Sequence, residues 1–230
     1  MMNKSTSNTR DWKGRVLVTS GPTRAYIDRI RYIANTSSGV LGARIVESLI
    51  SRNIAVTHIR GTGSEKPNIN NAPFFESVES ETIDDVISSI KTAASHGDIE
   101  AVVHAMAVLD YVPEKRYEAK KSSGDDYWDI RLVRTPKVIS ILREVMPEAY
   151  IVGFKLEVGV SEEELVRRAG VPLNKYGLDI VVANDLDTVS ETHHEAVFVG
   201  PGCKIIGRAD TKEKIARIIT EYVVNSMKTV

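Results

Sequence analysis

Cysteine is almost missing from this chain: Cys203 is the only one in 230 residues. Neither an intrachain disulfide framework nor a multi-cysteine metal site can be built from it. A dominant charge is missing too, because 30 Lys and Arg stand against 31 Asp and Glu, a net charge of -1. That balance, with aromatics at only 6%, excludes a global field for gathering nucleic acid. No apolar run approaches the roughly 20 residues needed to span a bilayer. The opening MMNKSTSNTRD has no apolar core and does not read as a secretory signal. These absences predict a protein of a reduced, cytoplasmic setting with no nucleic-acid or membrane partner. The five histidines show no zinc-ligand spacing, and neither GxGxxG nor GxxxxGK(S/T) is present.

What is present is enough apolar material, 42% of the chain, to fill a sizeable core. Residues 1–12 read as a disordered arm and 13–230 as a single α/β domain. Val16-Leu17-Val18 begins a strand over Arg15 to Thr19 that is expected to stop in the turn Thr19-Ser20-Gly21-Pro22-Thr23. A second small-residue turn, Asn35 to Gly39, leads into an amphipathic helix ending at Ser51. Strands follow at Ala55–Ile59, Phe74–Val78 and Ala101–Met106. Thr82 caps a helix over the second gap. The Lys- and Glu-rich stretch near 111–128 has no clear period and reads as a flexible loop. A strand at Asp129–Val133 and a helix at Pro136–Arg143 come next. Tyr150–Phe154 is a strand, Glu162–Arg168 a helix, and Ile180–Ala183 another strand. A hairpin over Glu195–Val199 and Lys204–Ile206 precedes a last helix, Lys212–Met227. The alternation predicts an α/β fold: a three-layer Rossmann-like sheet with helices on both faces and a flap or β extension.

In such sheets ligands bind beyond the carboxyl ends of the strands. Those ends collect Ser20 to Thr23, Gly61-Thr62-Gly63, Ala107 to Tyr111, Phe154 to Glu157 and Asn184-Asp185. Turns with free backbone N–H groups and hydroxyls grip phosphate. Arg24, Asp28, Arg29 and Arg31 put more charge between the first two turns than a connector needs. The pattern points to an enzyme of nucleotides or phosphorylated metabolites.

The motifs TSGPTR, IDRIRYIANTSSGVLG, AMAVLDY, KKSS, TPKVI, VGFKLE and VVANDL, in this order, resemble the phosphopantothenoylcysteine synthetases. The resemblance runs from Arg15 to at least Asp185, and without an added flavin domain it suggests a stand-alone form. It implies a ligase that joins 4'-phosphopantothenate to cysteine through an acyl-nucleotide, with Mg²⁺ and CTP, or ATP as in some relatives, as co-substrate. Positioned cations, N–H donors and Mg²⁺ suit a reaction that develops charge on phosphate and on a tetrahedral carbon.

By the same resemblance Asn35 engages the pantothenate portion and steadies the acyl-nucleotide, and Arg31 reaches the substrate phosphate across a homodimer interface. Ser37, Ser38 and Gly39 form a phosphate turn. Gly21, Met106, Ala107 and Asp110 line the nucleotide and substrate, with Met106 standing where the family has a smaller residue. Lys120 is the active-site lysine, with Lys121 its neighbour and rival. Thr135, Pro136, Lys137 and Val138 turn near the base, Phe154 lies beside it, and Lys175 serves the triphosphate. No basic residue stands four positions before Lys175, and Arg167 or Arg168 is the expected substitute. Asp28, paired with an arginine, and Asn184-Asp185, fixing the rim, are read as structural. Three other readings compete: a non-catalytic nucleotide-binding protein of the same fold, an NAD(P)-dependent oxidoreductase, and a flavoprotein relative. Against the second, the first strand's turn has one glycine rather than three.

Overall fold

The computed structural model describes residues 14–227 except 71, 123 and 191; the arm expected over 1–12 lies outside the described residues. The chain opens with β1 (Arg15–Pro22), makes a small hairpin of β2 (Arg24–Tyr26) and β3 (Tyr32–Ala34), and enters α1 (Val40–Ser51). It continues through β4 (Ala55–Gly61), β5 (Phe75–Ser80), α2 (Ile83–Ser95) and β6 (Ile99–Ala107). A second hairpin, β7 (Tyr111–Pro113) with β8 (Leu132–Arg134), precedes α3 (Val138–Val145) and β9 (Tyr150–Glu157). Then come α4 (Glu162–Lys175), β10 (Ile180–Asp185), β11 (Ala196–Gly200), β12 (Lys204–Ala209) and α5 (Lys212–Met227).

The 8-stranded sheet has the order β12-β11-β10-β9-β6-β1-β4-β5. It is parallel from β5 across to β10, and β11 and β12 add antiparallel strands at one edge. Val16, Leu17 and Val18 are fully buried, as are Ala101, Val102 and Val103. Such unbroken apolar runs belong to strands covered on both faces. Alternate side chains sort into two cores. Leu17, Val102, Ile151 and Val181 pack with Val86, Leu142 and Leu165 on the side of α2, α3 and α4. Val16, Val18, Val103 and Val182 pack with Ile45, Leu49, Ile215 and Ile219 under α1 and α5. Fully burying such a side chain stabilises the fold by about 1.5–3 kcal/mol. The three-layer Rossmann-like expectation holds, and the β extension is the pair of short hairpins outside the sheet. No described helix is long and apolar enough to cross a membrane.

Several local expectations change. β1 does not stop at Thr19: it continues to Pro22, because β6 pairs with it as far as Pro22↔Ala107. The residues read as a turn are therefore the end of a central strand. α4 does not end at Arg168 but runs through Pro172 to Lys175. β9 and β10 likewise extend to Glu157 and Asp185, and the stretch expected as loop from 111 begins as β7. The Thr82 cap is observed with its reciprocal Asp85 partner, a complete capping box.

Candidate active site

Counted along the sheet, the strands follow the 3-2-1-4-5-6 order in which the winding reverses between β1 and β6. The crevice beyond their carboxyl ends is the natural ligand position. Glycine lets three backbones meet there. Gly21 has φ 78, and a Cβ on it would collide with the Ser64 hydroxyl. Gly39, at φ 76, caps α1, and its Cβ would lie 2.8 Å from Ser64 Cβ. Ser64 is the keystone, donating from its hydroxyl to Gly61 O at 2.5 Å. Gly21 and Gly39 are thus both buried positions that bring backbone close to the crevice.

Asn35 reaches this crevice from the end of β3. Its Nδ2 donates to Ala107 O at 3.3 Å and to Val108 O at 3.1 Å. Because both neighbours are carbonyl oxygens, the nitrogen must face them and Oδ1 is left for another partner. The Ser37 N–H donates to Asn35 O at 3.0 Å, closing the turn that leads into α1. Asn35, Thr36 and Ser38 are exposed and Ser37 is half-buried. The structure thus brings Asn35, the serine turn and Ala107 together.

The AVLDY and TPKV motifs are knitted to one another. Thr23 Oγ1 accepts from Leu109 N at 3.1 Å, Thr135 Oγ1 donates to Leu109 O at 2.6 Å, and Thr135 N donates to Asp110 O at 3.0 Å. Asp110 and Lys137, both exposed, form an ion pair across the two motifs. Among the described residues no group of three or more His, Cys, Asp or Glu could hold a metal by protein ligands alone. A magnesium ion is commonly held by one or two carboxylates plus substrate phosphates, and the Asp110 carboxylate is the rim oxygen donor that fits such a site.

The lysine strip folds back on the Asp28 turn. Asp28 is fully buried. The N–H groups of Ile30 and Arg31 donate to its Oδ1 at 2.9 Å each, and Lys121 N lies 3.4 Å from Oδ2. The Ile30 amide foremost, against the opposing pull of burial, and then the Arg31 and Lys121 amides hold this carboxyl below the usual carboxylate range. Arg31 pairs with Asp28 at 3.7 Å, donates to Lys121 O at 3.0 Å and lies 5.2 Å over the Trp128 ring. The arginine expected to reach out is thus engaged within its own chain. Lys121 Nζ is also spent, on Asp125 at 2.8 Å and on the other approach to Trp128 at 5.5 Å. Lys120 is exposed and makes no contact of this kind with any described residue. Trp128 and Ser64 escaped the sequence reading. The signal for Trp128 was a lone tryptophan in a charged strip; Ser64 sits one residue past a glycine turn and carried none.

Other expected contacts do not converge on the crevice. Met106 is buried in the core beneath α2 and α3, so its side chain does not shape a pocket edge. Val138 is buried in the same core, and the Thr135 hydroxyl is consumed internally. Phe154 is half-buried against the core under α1 and α5. Lys175 is the last residue of α4, which returns the chain to the amino edge of the sheet. There Arg143 donates to Gly177 O at 2.7 Å and Asp179 takes the Ile151 N–H at 2.7 Å. Lys175 therefore lies at the edge opposite the crevice, with its ammonium 5.3 Å from the Tyr176 ring. Arg167 and Arg168 both pair with Glu164 at 2.6 Å, and Arg168 also pairs with Glu157 at 2.5 Å. Burial would raise the Glu157 carboxyl, but hydrogen bonds from Lys155 and Arg168 hold it below its usual range. Asp185 ends β10 and accepts from Gly159 N at 3.0 Å and Val160 N at 2.7 Å, bracing the rim in the structural role expected of it.

Comparison with known proteins agrees with this architecture. A coenzyme A biosynthesis bifunctional protein CoaBC of Thermococcus kodakarensis is 39% identical over 186 residues, 81% of this chain and 45% of that protein. The chain thus spans less than half the length of that relative. The crystal structure of a DNA/pantothenate metabolism flavoprotein from Streptococcus pneumoniae superposes with a TM-score of 0.84 at 32% identity, covering 92% of this chain and 99% of that one. A Cab2 mutant in complex with phosphopantothenate-cysteine shares the fold, with a TM-score of 0.76 at 22% identity over 94% of this chain and 87% of its own. Residues 12–227 match the DNA/pantothenate metabolism flavoprotein C-terminal domain, and the chain belongs to that family.

Proposed function

We propose that this chain ligates 4'-phosphopantothenate to cysteine in coenzyme A biosynthesis, through an acyl-nucleotide intermediate. The observation that carries the reading is Asn35, pinned by two carbonyls at the reversal point of the sheet beside a hydroxyl-bearing turn. The substrate carboxylate attacks the α-phosphorus of a nucleoside triphosphate and pyrophosphate leaves. The cysteine amine then attacks the acyl carbon, the nucleoside monophosphate departs, and the amine proton passes to solvent. No covalent protein nucleophile is required. Asn35 Oδ1 and the Thr36–Ser38 turn orient the substrate, and the Lys120 ammonium, without a partner among the described residues, offsets charge on the transferring phosphate. Bound Mg²⁺ would supply further charge neutralisation on the triphosphate, with Asp110 as its protein donor.

CTP is the favoured triphosphate, by resemblance, with ATP as the alternative. A homodimer is part of the proposal: Arg31 stands between the exposed apolar side chains of Ile30 and Tyr32, a composition suited to a face between copies. A cytoplasmic setting fits the lone thiol. The test is pyrophosphate release from 4'-phosphopantothenate, cysteine and Mg²⁺ with CTP or ATP. Cysteine-dependent release is expected, faster with CTP. Binding of both substrates without release would instead mark a non-catalytic nucleotide-binding member.

A further inference from the structure

We propose that Asp28 is a positioning residue whose two carboxylate oxygens hold different elements, one the Arg31 turn and the other the strip that carries Lys120. This deepens, and rests on, the ligase reading above. Oδ1 accepts the Ile30 and Arg31 N–H groups at 2.9 Å each, which is enough to make the turn. Turn-forming carboxylates commonly achieve this at the surface, whereas burying one costs free energy unless it is fully partnered. Asp28 is completely buried, and its second oxygen has a distant partner: Oδ2 lies 3.4 Å from the N–H of Lys121 and 3.7 Å from the Arg31 guanidinium. That N–H belongs to the peptide plane joining Lys120 to Lys121, so the contact fixes the Cα of Lys120 directly. Arg31 Nη2 grips the Lys121 carbonyl at 3.0 Å, and Tyr117 N donates to Ile27 O at 2.8 Å, so the strip is tied on both flanks. The ammonium of Lys121 is consumed by Asp125 and Trp128. Anchored at its own backbone, Lys120 is exposed and has no ion-pair partner among the described residues.

The division of the two oxygens makes the idea separable from simple folding. In Asp28→Asn the amide oxygen keeps both turn N–H groups, while the amide nitrogen, a donor, meets the Lys121 N–H and the guanidinium. The turn survives and the strip is released. Expected is a kcat loss of about 10–100-fold, as for an ångström-scale misplacement of a reacting group. KM for 4'-phosphopantothenate should stay within about threefold, since ground-state binding is retained. Because Asp28 acts through Lys120, Asp28→Asn should add no further loss on a Lys120→Gln background. Tryptic cleavage at Lys120 and Lys121 should accelerate in folded Asp28→Asn, whereas Asp28→Ala should lower the melting temperature as well. Wild-type kcat in Asp28→Asn, losses that multiply in the double variant, or unchanged tryptic cleavage would each overturn the proposal. If the wild-type protein shows no cysteine-dependent turnover, the ligase reading fails. The tryptic comparison then still decides the anchoring, faster cleavage upholding it and unchanged cleavage ending it.

Discussion

Replacing Asn35 by Asp changes only one nitrogen to oxygen, and the structure says what that exchange removes. Both Asn35 donors are spent on carbonyls, Ala107 O at 3.3 Å and Val108 O at 3.1 Å. A carboxylate there faces two acceptors with nothing to donate, and it must swing away. Two neutral bonds on a side chain are worth about 0.5–1.5 kcal/mol each at most. Because Asn35 is exposed, a total near 1 kcal/mol is expected, which lowers the melting temperature of a domain this size by about 2–4 °C. Turnover should fall much further, by about 100-fold or more, the scale seen when a preorganised polar group is removed from a charge-developing step. The acyl-nucleotide should accumulate, because it must be held while the cysteine amine attacks. Acid-quenched reactions with labelled triphosphate, resolved by chromatography, report both the intermediate and the rate. Wild-type turnover, or a loss that merely tracks the unfolded fraction, would refute the argument.

Three further expectations follow from the same geometry. Lys120→Gln should cut turnover at least about tenfold without moving the melting temperature, since its charge has no described partner to lose; Lys121→Gln should cost less, and the opposite ranking would reverse the two roles. Gly21→Ala should destabilise by about 2–4 kcal/mol through positive-φ strain plus overlap with Ser64. Ser64→Gly should restore the overlap portion in urea titrations; no restoration would show that Ser64 is not the obstacle. Burial pushes the buried His58 and the half-buried His104 and His194 down to about 4. The unfolded chain therefore takes up protons first as pH falls through about 6.5. The stability they contribute is present above that pH and is lost progressively towards about pH 4, with a limiting slope of about 4 kcal/mol per pH unit for the three. Chemical unfolding between pH 7.5 and 4.5 measures the slope, and a flat profile would remove the histidines from the account.

The layers of this fold were legible because apolar runs such as Val16–Val18 and Ala101–Val103 leave no other place for a strand than the middle of a sheet. The strand ends were not. Ser20, Gly21 and Pro22 are poor strand formers, and they stay in the sheet because β6 supplies a ladder along them, with Gly21 at positive φ. Gly170 and Pro172 read locally as breakers, yet α4 passes through both. Gly170 is needed there because a Cβ would meet Cys203 Sγ, and Tyr176 N still closes onto Pro172 O at 3.0 Å. The hairpin of β2 and β3 is too short to show a period. At the site, the resemblance named Asn35, the serine turn and Ala107 together as substrate-binding. It could not show that Arg31 and Lys121 clasp Trp128, a contact between segments with no common pattern. Nor could it show that Lys175 finishes α4 at the far edge, which depends on how long that helix runs.

The place of β1 in the sheet also bears on how the chain is made. It is made before both of its ladder partners, which are encoded later: Val16 pairs with Val56 on one side and with Ala101 on the other. Until β6 has emerged, an apolar strand destined for the centre of the sheet has at most one edge covered. Parallel pairings between distant segments are slow to close and leave strands open to aggregation meanwhile. Synthesis rate and chaperone supply, more than final stability, should therefore set the yield of this protein in the cell.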